Sequence, residues 1–417
     1  MSSVLAPLDS GLHSVNLFFD PDALSSLFNR PVRASHLRWK PGTSAVARLH
    51  DGDGVRWLAM YSADASVKLE KSSRRALTQN LELERFALDD GVLASGPITL
   101  DPRLYGVLRP FRRAALDSLS SGVRVLKYNP LRRVVFSIAT GPTAGIAPGS
   151  TAGIAPGSIT GTGRCLVGRA SAARHAMTRN MLSKLAEGGV PLLVPLEPPL
   201  LPAGLPFGKH LEYLPWYGSG DLGTVPPAKA QPPARTAGGA LALLHRQAPI
   251  HQAHTWRAPA GRLRSLVKEN VELMPENRDR LERVQRQLEC LLRRPGLAGV
   301  IHGDFSADQI LVDGKDVRLI DFERCTYGAA ASDLGSFAAV EALEVRQADR
   351  RSVLALPRTA ALLDGYGSGP DTVNESEVLT WTAFYLLNRL REPFRACSPS
   401  WRQQMDARLA MIEEVLW

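Results

Sequence analysis

Two stretches of the chain, about 90 residues apart, share one alternation of apolar and polar positions. Leu37–Leu49 reads LRWKPGTSAVARL, and Leu126–Ile138 reads LKYNPLRRVVFSI. In both, β-branched and aromatic residues alternate around a proline, which predicts two antiparallel strands joined by a turn. Each is followed by a strand candidate (VRWLAMY, RCLVGRA), a helical segment (SSRRALTQNLELERFALDDG, ARHAMTRNMLSKLAEGG) and a last apolar segment (LYGVLRPF, HLEYLPWY). The pattern predicts two copies of one sheet-and-helix unit.

The second copy carries an insertion, and the pattern then changes character. A tandem repeat of TAGIAPGS runs from Thr143 to Ser158 between two strand candidates. Its Gly, Pro and Ser content predicts a mobile hairpin loop at residues 140–163. After residue 215, apolar residues recur at helical spacing, as in ALALLH and GRLRSLVKENVELMPENRDRLERVQRQLECLLRR. The order of elements predicts an α+β fold with a β-rich first half and a helical second half.

Composition limits the class of protein. The chain has 417 residues, of which 44% are hydrophobic and 22% charged, which is typical of a globular protein with more than one unit. No apolar run has the length of a membrane span, and the first residues lack the basic-then-apolar pattern of a signal peptide. The expected location is the cytoplasm, with no membrane partner. Four widely separated cysteines argue against a disulfide framework or a zinc knuckle.

The net charge of +9 could suit an anionic partner. The excess arginines are spread along the chain without a basic block or interleaved aromatic residues, so we expect no nucleic-acid partner. His245, His251 and His254 lie close together in the sequence but lack metal-ligand spacing, which makes a metal site there the less favoured interpretation.

The most informative segment is VIHGDFSADQILVDGKDVRLIDFE, from Val300 to Glu323. GVIHGD reads as a short strand that ends in a turn, and QILVD and VRLIDFE flank the GKD turn as a hairpin. Side chains at strand ends can leave the apolar layer and converge on a ligand. We therefore expect Asp304, Gln309 and Asp321 to lie near one another.

This set of side chains suits phosphoryl transfer. The reaction needs a carboxylate that accepts the proton of the attacking hydroxyl and oxygen ligands that hold Mg²⁺ against the nucleotide phosphates. Asp304 is the candidate base, and Gln309 and Asp321 are the candidate metal ligands. Glu323 lies on the same strand face as Asp321 and could reach a second metal ion. The alternative is that strand-end aspartates only cap backbone N–H groups.

The segment resembles the catalytic core of the aminoglycoside phosphotransferase and choline kinase-like superfamily, whose pattern is HGDxxxxN with IDxx(D/E). The form HGDFSADQ with IDFE is nearest to the maltokinase-like branch, in which Gln can stand at the Asn position. The resemblance covers about Val123 to Trp417 and implies a bilobal protein-kinase-like fold with ATP between a small β-rich N-lobe and a helical C-lobe. It implies residues 121–215 as the N-lobe and 216–417 as the C-lobe. From the internal repeat, we interpret residues 1–120 as an extra, degenerate N-lobe-like domain.

The resemblance also implies roles for further residues. Backbone groups at Glu212, Tyr213 and Leu214 would hold the adenine. Asp333, in the family-like segment SDLGSF, would brace the catalytic loop through hydrogen bonds, and His302 would help to hold it.

Two family positions are not filled as expected. The N-lobe of such kinases carries a Lys on its third strand that grips the nucleotide phosphates, usually paired with a helix Glu. Arg169 stands at that position here, and the following helix offers no early Glu. In the first unit, Met60 and Tyr61 fall where the Lys would be, so we interpret that unit as a cap or scaffold. Arg can bind phosphate but does not replace Lys simply.

The leading hypothesis is an ATP- and Mg²⁺-dependent kinase that phosphorylates a hydroxyl of a small acceptor. A sugar, an amino sugar, an aminoglycoside and an amino alcohol all stay open as acceptors, because fold does not fix function. The alternative is a pseudokinase that binds nucleotide or acts as a scaffold without turnover, for which the missing Lys–Glu pair is the reason. A protein kinase is less favoured because HRD and DFG are absent.

Overall fold

The first unit contains a five-stranded antiparallel sheet in the order β1-β2-β3-β5-β4. Its elements are α1 (Pro21–Phe28), β1 (Val32–Lys40), β2 (Ser44–Asp51), β3 (Gly54–Ser62), α2 (Glu70–Gln79), β4 (Glu84–Leu88), β5 (Gly91–Pro97) and α3 (Tyr105–Leu108). The computed structural model describes residues 11–52, 54–109, 111, 123–140, 164–173, 178–202, 205–249, 259–294, 296–346, 349–367 and 373–417. The TAGIAPGS repeat, and with it almost all of the predicted loop at 140–163, lies outside these residues.

Two predictions about the first unit are wrong. The helix predicted over SSRRALTQNLELERFALDDG ends at Gln79, because Asn80 adopts the left-handed conformation (φ 52°) that closes a helix. The residues that follow form the edge strand β4, whose pairing with β5 overrides helix propensity. The segment LYGVLRPF is not the equivalent of HLEYLPWY. It contains the short helix α3, with Leu104 and Leu108 buried at helical spacing.

The second unit is a four-stranded antiparallel sheet in the order β6-β7-β8-β9. It comprises β6 (Val123–Asn129), β7 (Arg133–Thr140), β8 (Arg164–Ser171), α4 (Arg179–Glu187) and β9 (Leu211–Pro215). In both units three strands are followed by a helix and a strand that pairs with the third strand.

The predicted repeat of the first hairpin is confirmed in the backbone. Trp39 pairs with Ala45 in the first copy, and Tyr128 pairs with Val134 in the second, which is the same register. The turns also match, because Gly42 (φ 63°) and its counterpart Leu131 (φ 59°) both adopt the left-handed conformation. That conformation is costly for Leu but not for Gly.

The second half is helical, as predicted, and contains two small pieces of sheet. Its helices are α5 (Pro227–His245), α6 (Pro259–Leu273), α7 (Arg278–Leu291), α8 (Ala331–Val345), α9 (Pro357–Tyr366), α10 (Glu375–Asn388), α11 (Glu392–Arg395) and α12 (Trp401–Leu416). Its strands are β10 (Gly220–Asp221), β11 (Ala298–Ile301), β12 (Ile310–Asp313), β13 (Asp316–Leu319) and β14 (Thr326–Ala329). β12 and β13 form the predicted hairpin around GKD, and β11 pairs with β14.

The first sheet is buried on both faces. Along β2, Ala45, Ala47 and Leu49 point into a core shared with helices of the second half, whereas Val46 points into a core shared with the second sheet. This is the two-residue period of a strand. Phe19, which precedes α1, lies 5.1 Å from Phe394 between ring centroids and belongs to the first of these cores.

A buried carboxylate joins the first unit to the second hairpin. Asp101 is fully buried and accepts hydrogen bonds from the Tyr128 hydroxyl (2.7 Å) and the Leu131 amide (2.7 Å). Arg38 and Arg48 also donate from the first sheet to backbone carbonyls of this hairpin. The first unit is therefore built into the core of the molecule, and the predicted α+β class with a sheet lobe and a helical lobe is confirmed. In the described part of the chain, no helix combines the length and the apolar character that a membrane crossing requires.

Candidate active site

The loop that carries Asp304 is held by a buried carboxylate. Asp333, near the start of α8, is fully buried and accepts hydrogen bonds from the backbone amides of His302 (2.6 Å) and Gly303 (2.9 Å). The Nε2 atom of His302 donates to the carbonyl of Ile320 (2.8 Å). These are the contacts expected of side chains that brace the loop.

A glycine is required at the turn before Asp304. Gly303 has φ 82°, and a Cβ atom there would lie 2.3 Å from the carbonyl oxygen of Arg324. The loop therefore packs directly on the backbone that follows Asp321. Backbone contacts of this kind fix the position of Asp304 relative to the end of β13.

His245 is a further member of this support. Its Nε2 atom lies 3.1 Å from the Asp333 carboxylate, and its Nδ1 atom lies 2.8 Å from the Tyr366 hydroxyl. The sequence drew attention to His245 only as part of a histidine group, of which His251 and His254 lie outside the described residues. Its position at the end of α5, facing α8, could not be derived from that spacing.

Asp304 itself opens into a large cavity. Its side chain is about one third exposed (34%), and it faces Arg324 (3.4 Å) and Arg389 (3.8 Å). The cavity encloses about 900 Å³, which is the size of a small-molecule site. Arg389, at the end of α10, was not singled out in the sequence, because only the fold brings that helix to the loop.

Asp321 follows β13 in an unusual backbone conformation. It has φ 65° and ψ 51°, in the left-handed region that Asp tolerates better than most residues. The amide of Ile320 donates to the carbonyl of Gln309 (3.0 Å), so Gln309 and Asp321 lie at the same end of the hairpin. Gln309 is 7% exposed. The hairpin brings these two predicted ligands together as the sequence indicated.

Two arginines hold the predicted metal ligands. Arg133 lies 3.0 Å and Arg169 lies 3.2 Å from the two carboxylate oxygens of Asp321. Arg133 is 3.5 Å from Glu323, and Arg169 forms a close ion pair with the same residue. Burial alone would raise the pKa of Asp321, but the charges of Arg169 and Arg133 outweigh it and hold the pKa below its ordinary value. We call these two residues the arginine pair.

Arg169 also has a partner within its own sheet. It lies opposite Glu212 on β9, with 3.4 Å between the charged groups. In α4, the only glutamate is Glu187 at the C-terminal end. Glu212 therefore partly replaces the helix Glu that the family resemblance leads one to expect, and it does so from the neighbouring strand.

The strand register shows which residue of the first unit is equivalent to Arg169, and it corrects the prediction made from the sequence. Arg169 pairs with Val135, and the equivalent pair in the first unit is Ala59 with Val46. Ala59, rather than Met60 or Tyr61, thus occupies the position of Arg169. The first unit has no cationic side chain at this place.

A small cavity lies between β9 and the end of β13. Arg169, Glu212, Leu214 and Asp321 are among its lining residues, and it encloses only about 30 Å³. That volume is sufficient for about one or two water molecules. The cavity is therefore far smaller than a nucleotide.

Tyr213 is oriented differently from its two neighbours. Its side chain is buried on the opposite face of the sheet, and its hydroxyl donates to the carbonyl of Pro206 (2.7 Å). Its own carbonyl accepts from the amide of Leu196 (2.8 Å). Of the three residues predicted to hold adenine, Glu212 and Leu214 face the small cavity and Tyr213 does not.

The donor set fits magnesium better than a transition metal. Within the described ranges, no group of three or more His, Cys, Asp or Glu side chains could hold a metal ion. Mg²⁺ bound with a nucleotide needs only one or two protein carboxylates, because phosphates and waters complete its shell. Asp321 and Glu323, which form ion pairs with the same two arginines, could meet that requirement, and Gln309 stays a predicted amide ligand.

A comparison with known protein families matches part of this chain. Residues 165–369 match the model of the phosphotransferase enzyme family. No curated protein matches the sequence. The matched range contains both HGDFSADQ and IDFE, so the superfamily resemblance is confirmed, whereas the maltokinase-like branch stays a prediction.

The solved structures that align with this chain share little sequence with it. A choline/ethanolamine kinase family protein from Mesorhizobium loti aligns with a TM-score of 0.44 and 16% identity, over 75% of this chain and 94% of that chain. A spectinomycin phosphotransferase in complex with ADP and spectinomycin aligns with a TM-score of 0.44 and 13% identity, over 70% of this chain and 88% of that chain. A thermostable aminoglycoside phosphotransferase mutant, in complex with AMP-PNP and hygromycin B, aligns with a TM-score of 0.45 and 12% identity, over 73% of this chain and 98% of that chain.

Proposed function

We propose that the chain, whose residues 165–369 match the model of the phosphotransferase enzyme family, transfers the γ-phosphate of ATP to a hydroxyl of a small acceptor. The observation that carries the proposal is the position of Asp304. It stands on a braced loop at the wall of a cavity of about 900 Å³, beside the strand end that bears Asp321.

Asp304 is the proposed catalytic base. The acceptor oxygen forms a bond to the γ-phosphorus, the bond from that phosphorus to the β–γ bridging oxygen breaks, and ADP leaves. The acceptor proton passes to Asp304. Arg324 and Arg389 orient the carboxylate from two sides, so that it needs little rearrangement when the acceptor arrives.

Asp321 and Gln309 would hold Mg²⁺, and Glu323 could hold a second ion. When bound with the nucleotide, the metal neutralises charge on the phosphates. The arginine pair supplies positive charge at the same place from β7 and β8. We propose that Arg133 and Arg169 leave Asp321 and bind the phosphates, because guanidinium groups match phosphate oxygens bidentately.

The proposed domain roles follow from the same assignment. Residues 121–215 act as the N-lobe and residues 216–417 as the C-lobe. Residues 1–120 act as a scaffold that also contributes Leu37, Arg38, Trp39 and Pro41 to the wall of the Asp304 cavity.

A pseudokinase is the second candidate, and one observation favours it. The arginine pair already neutralises Asp321 and Glu323, and the neighbouring cavity of about 30 Å³ is far smaller than a nucleotide. If those ion pairs do not open, neither metal nor nucleotide binds.

Nucleotide-dependent stabilisation tests the proposal. The thermal midpoint of the wild type and of Asp321→Asn would be measured with and without ATP and Mg²⁺. A ligand at about 100 times its dissociation constant stabilises the folded state by roughly 2.7 kcal/mol, which is easily measured. We expect a metal-dependent increase in the wild type that is lost in Asp321→Asn. No increase at millimolar ATP would favour the pseudokinase.

A further inference from the structure

The cavity at Asp304 carries an excess of positive charge. Seven of its lining side chains are arginines and four are carboxylates. The arginines come from the first sheet, the second hairpin, α6, α10, the segment after Asp321 and the region of α11. A cavity whose walls concentrate one sign of charge raises the local concentration of ligands of the opposite sign.

Most of the carboxylates in this cavity are already engaged. Glu269 binds Arg391 and lies 3.8 Å from Arg262. Glu392 binds Arg389 at 3.0 Å. Asp304 faces Arg324, as described above. These pairs account for four of the seven arginines and three of the four carboxylates.

Three arginines remain without a carboxylate partner. Among the described residues, Arg38, Arg132 and Arg395 have no acidic side chain within ion-pair distance, although Arg38 donates to the carbonyl of Pro130. They come from β1, from the turn before β7 and from the end of α11, which are far apart in the sequence. Three unpaired cations from three parts of the chain thus meet at one cavity.

The electrostatics show that these groups affect one another. Desolvation lowers the pKa of Arg38 to about 10, and the charge of Arg132 contributes to the shift. Desolvation also lowers the pKa of Arg395, with contributions from Arg391, Arg132 and Arg324, while Glu392 opposes the shift. Mutual repulsion between cations is unfavourable in the free protein and is relieved by a bound anion.

We propose that the hydroxyl acceptor is anionic and carries a phosphate or carboxylate group that Arg132 and Arg395, with Arg38, bind while its hydroxyl lies at Asp304. This inference rests on the proposed function for the phosphoryl transfer but not for the binding of the anion. The positive charges of the same arginines repel polycationic aminoglycosides and choline-like amino alcohols. Trp39 and Phe394 supply apolar surface beside the charged groups.

Matched pairs of acceptors test the inference. ADP release from ATP and Mg²⁺ would be followed with glucose and glucose 6-phosphate, with glucose and gluconate, and with glycerol and glycerate, and choline and kanamycin would serve as cations. We expect kcat/KM to be at least about 10-fold higher for the anionic member of a pair, since hydrogen bonds to charged groups are the strong ones. Comparing glucose 6-phosphate with gluconate and glycerate shows whether the site prefers a phosphate or a carboxylate group.

Variants identify the arginines. Arg132→Gln and Arg395→Gln lie at exposed positions and should fold, and each should raise KM for the anionic acceptor about 10-fold or more, with a smaller effect on kcat. Arg395→Lys should restore part of the affinity. Arg278→Gln is the control, because Arg278 lies on α7 and only approaches Glu282.

Binding without turnover separates the two proposals. The thermal midpoint would be measured with glucose 6-phosphate, gluconate or glucose in the absence of ATP. Stabilisation by either anion that is lost in Arg132→Gln and Arg395→Gln supports the anion site even if no acceptor is phosphorylated. Preference for the neutral or cationic acceptor overturns the inference and leaves the kinase proposal intact. The inference is also overturned if Arg132→Gln and Arg395→Gln weaken the binding of neutral and anionic acceptors equally, or if they leave the binding of the anions unchanged.

Discussion

At the scale of single residues, Asp304 is the side chain on which we expect turnover to depend most. Asp304→Asn keeps the size of the side chain but removes its ability to accept a proton. We expect kcat to fall by about 10² to 10⁴, which is the usual contribution of a positioned acid or base. ATP binding should persist, because Asp304 faces the acceptor cavity. Initial rates of ADP release and the ATP-dependent thermal midpoint measure the two effects.

Asp308 provides a matched control in the same loop. It is about half exposed (47%) and forms an ion pair with Lys127 at 3.2 Å. Because Asp308 does not line the Asp304 cavity, Asp308→Asn should change kcat by no more than a few-fold. Wild-type rates in Asp304→Asn, or equal losses in both variants, would contradict the assigned role of Asp304.

The arginine pair makes stability depend on pH. The pKa of Asp321 in the folded protein lies below its ordinary value of 3.8, so its contribution to stability is present above 3.8 and is lost as the pH falls through the lower folded value. Arg169→Gln removes one of the charges that lower this pKa. The thermal midpoint of the variant should therefore lie below that of the wild type at neutral pH, and the difference should shrink below pH 3.8.

Thermal unfolding between about pH 3 and 7 checks this prediction. Arg179→Gln is the control, because Arg179 and Glu197 form an exposed ion pair (39% and 50%) that should contribute little at any pH. A difference for Arg169→Gln that stays constant across the range would show that the ionisation of Asp321 is not its cause.

At the scale of elements, the contact between α5 and α9 keeps His245 in place. A Cβ atom at Gly238 would lie 2.0 Å from the carbonyl oxygen of Leu362, whereas one at Gly239 would meet only the carbonyl oxygen of Gly365 at 3.7 Å. Gly238→Ala should therefore force the helices apart and destabilise the protein by roughly 2 to 3 kcal/mol. It should also lower kcat, because His245 on α5 supports Asp333.

Gly239→Ala is the matched control on the same helix. It places a methyl group in ordinary contact and replaces glycine with a better helix former, so it should be neutral or stabilising by up to about 1 kcal/mol. Chemical denaturation of both variants gives the comparison. Equal free energies of unfolding would show that the two helices can separate without cost.

Local pattern predicted the elements better than it predicted their partners. The hairpins around Pro41, Pro130 and Gly314 follow from strand alternation and turn residues, and all three are present. The strand β4 was missed because residues 84–88 become a strand only by pairing with β5. Such pairing depends on residues distant in sequence.

The same distinction applies to the candidate site: residues close in sequence could be predicted to lie together, and residues brought together by packing could not. Asp304, Gln309 and Asp321 lie within one short segment, so the sequence could place them together. Arg133 could have been found from the register, because it starts β7 directly after the turn. Arg389 and Arg395 could not, because their distance from Asp304 depends on how α10 and α11 pack in the complete fold.

At the scale of the whole molecule, the first unit is more than an appended cap. Its sheet shares one core with helices of the second half and another with the second sheet. Its first hairpin also forms part of the wall of the Asp304 cavity, where we propose that the acceptor binds. A change that loosens this unit should therefore affect both the stability of the chain and acceptor binding.

Asp101 is the residue with which to test that coupling. It is fully buried and accepts hydrogen bonds from the Tyr128 hydroxyl and from the amides of Arg103, Leu104 and Leu131. Asp101→Ala leaves these donors without a partner, which should cost at least about 3 kcal/mol, and Asp101→Asn should cost less because one oxygen remains. Burial raises the pKa of Asp101, so Asn, like the protonated carboxyl, carries no charge to desolvate. We expect both Asp101 variants to unfold in one transition at a lower temperature, as monitored by tryptophan fluorescence, and to show a higher KM for the acceptor. Asp64→Ala, at an exposed site, is the control and should stay within about 0.5 kcal/mol of the wild type. A separate early transition with unchanged acceptor KM would instead mean that the first unit unfolds independently and has no part in the site.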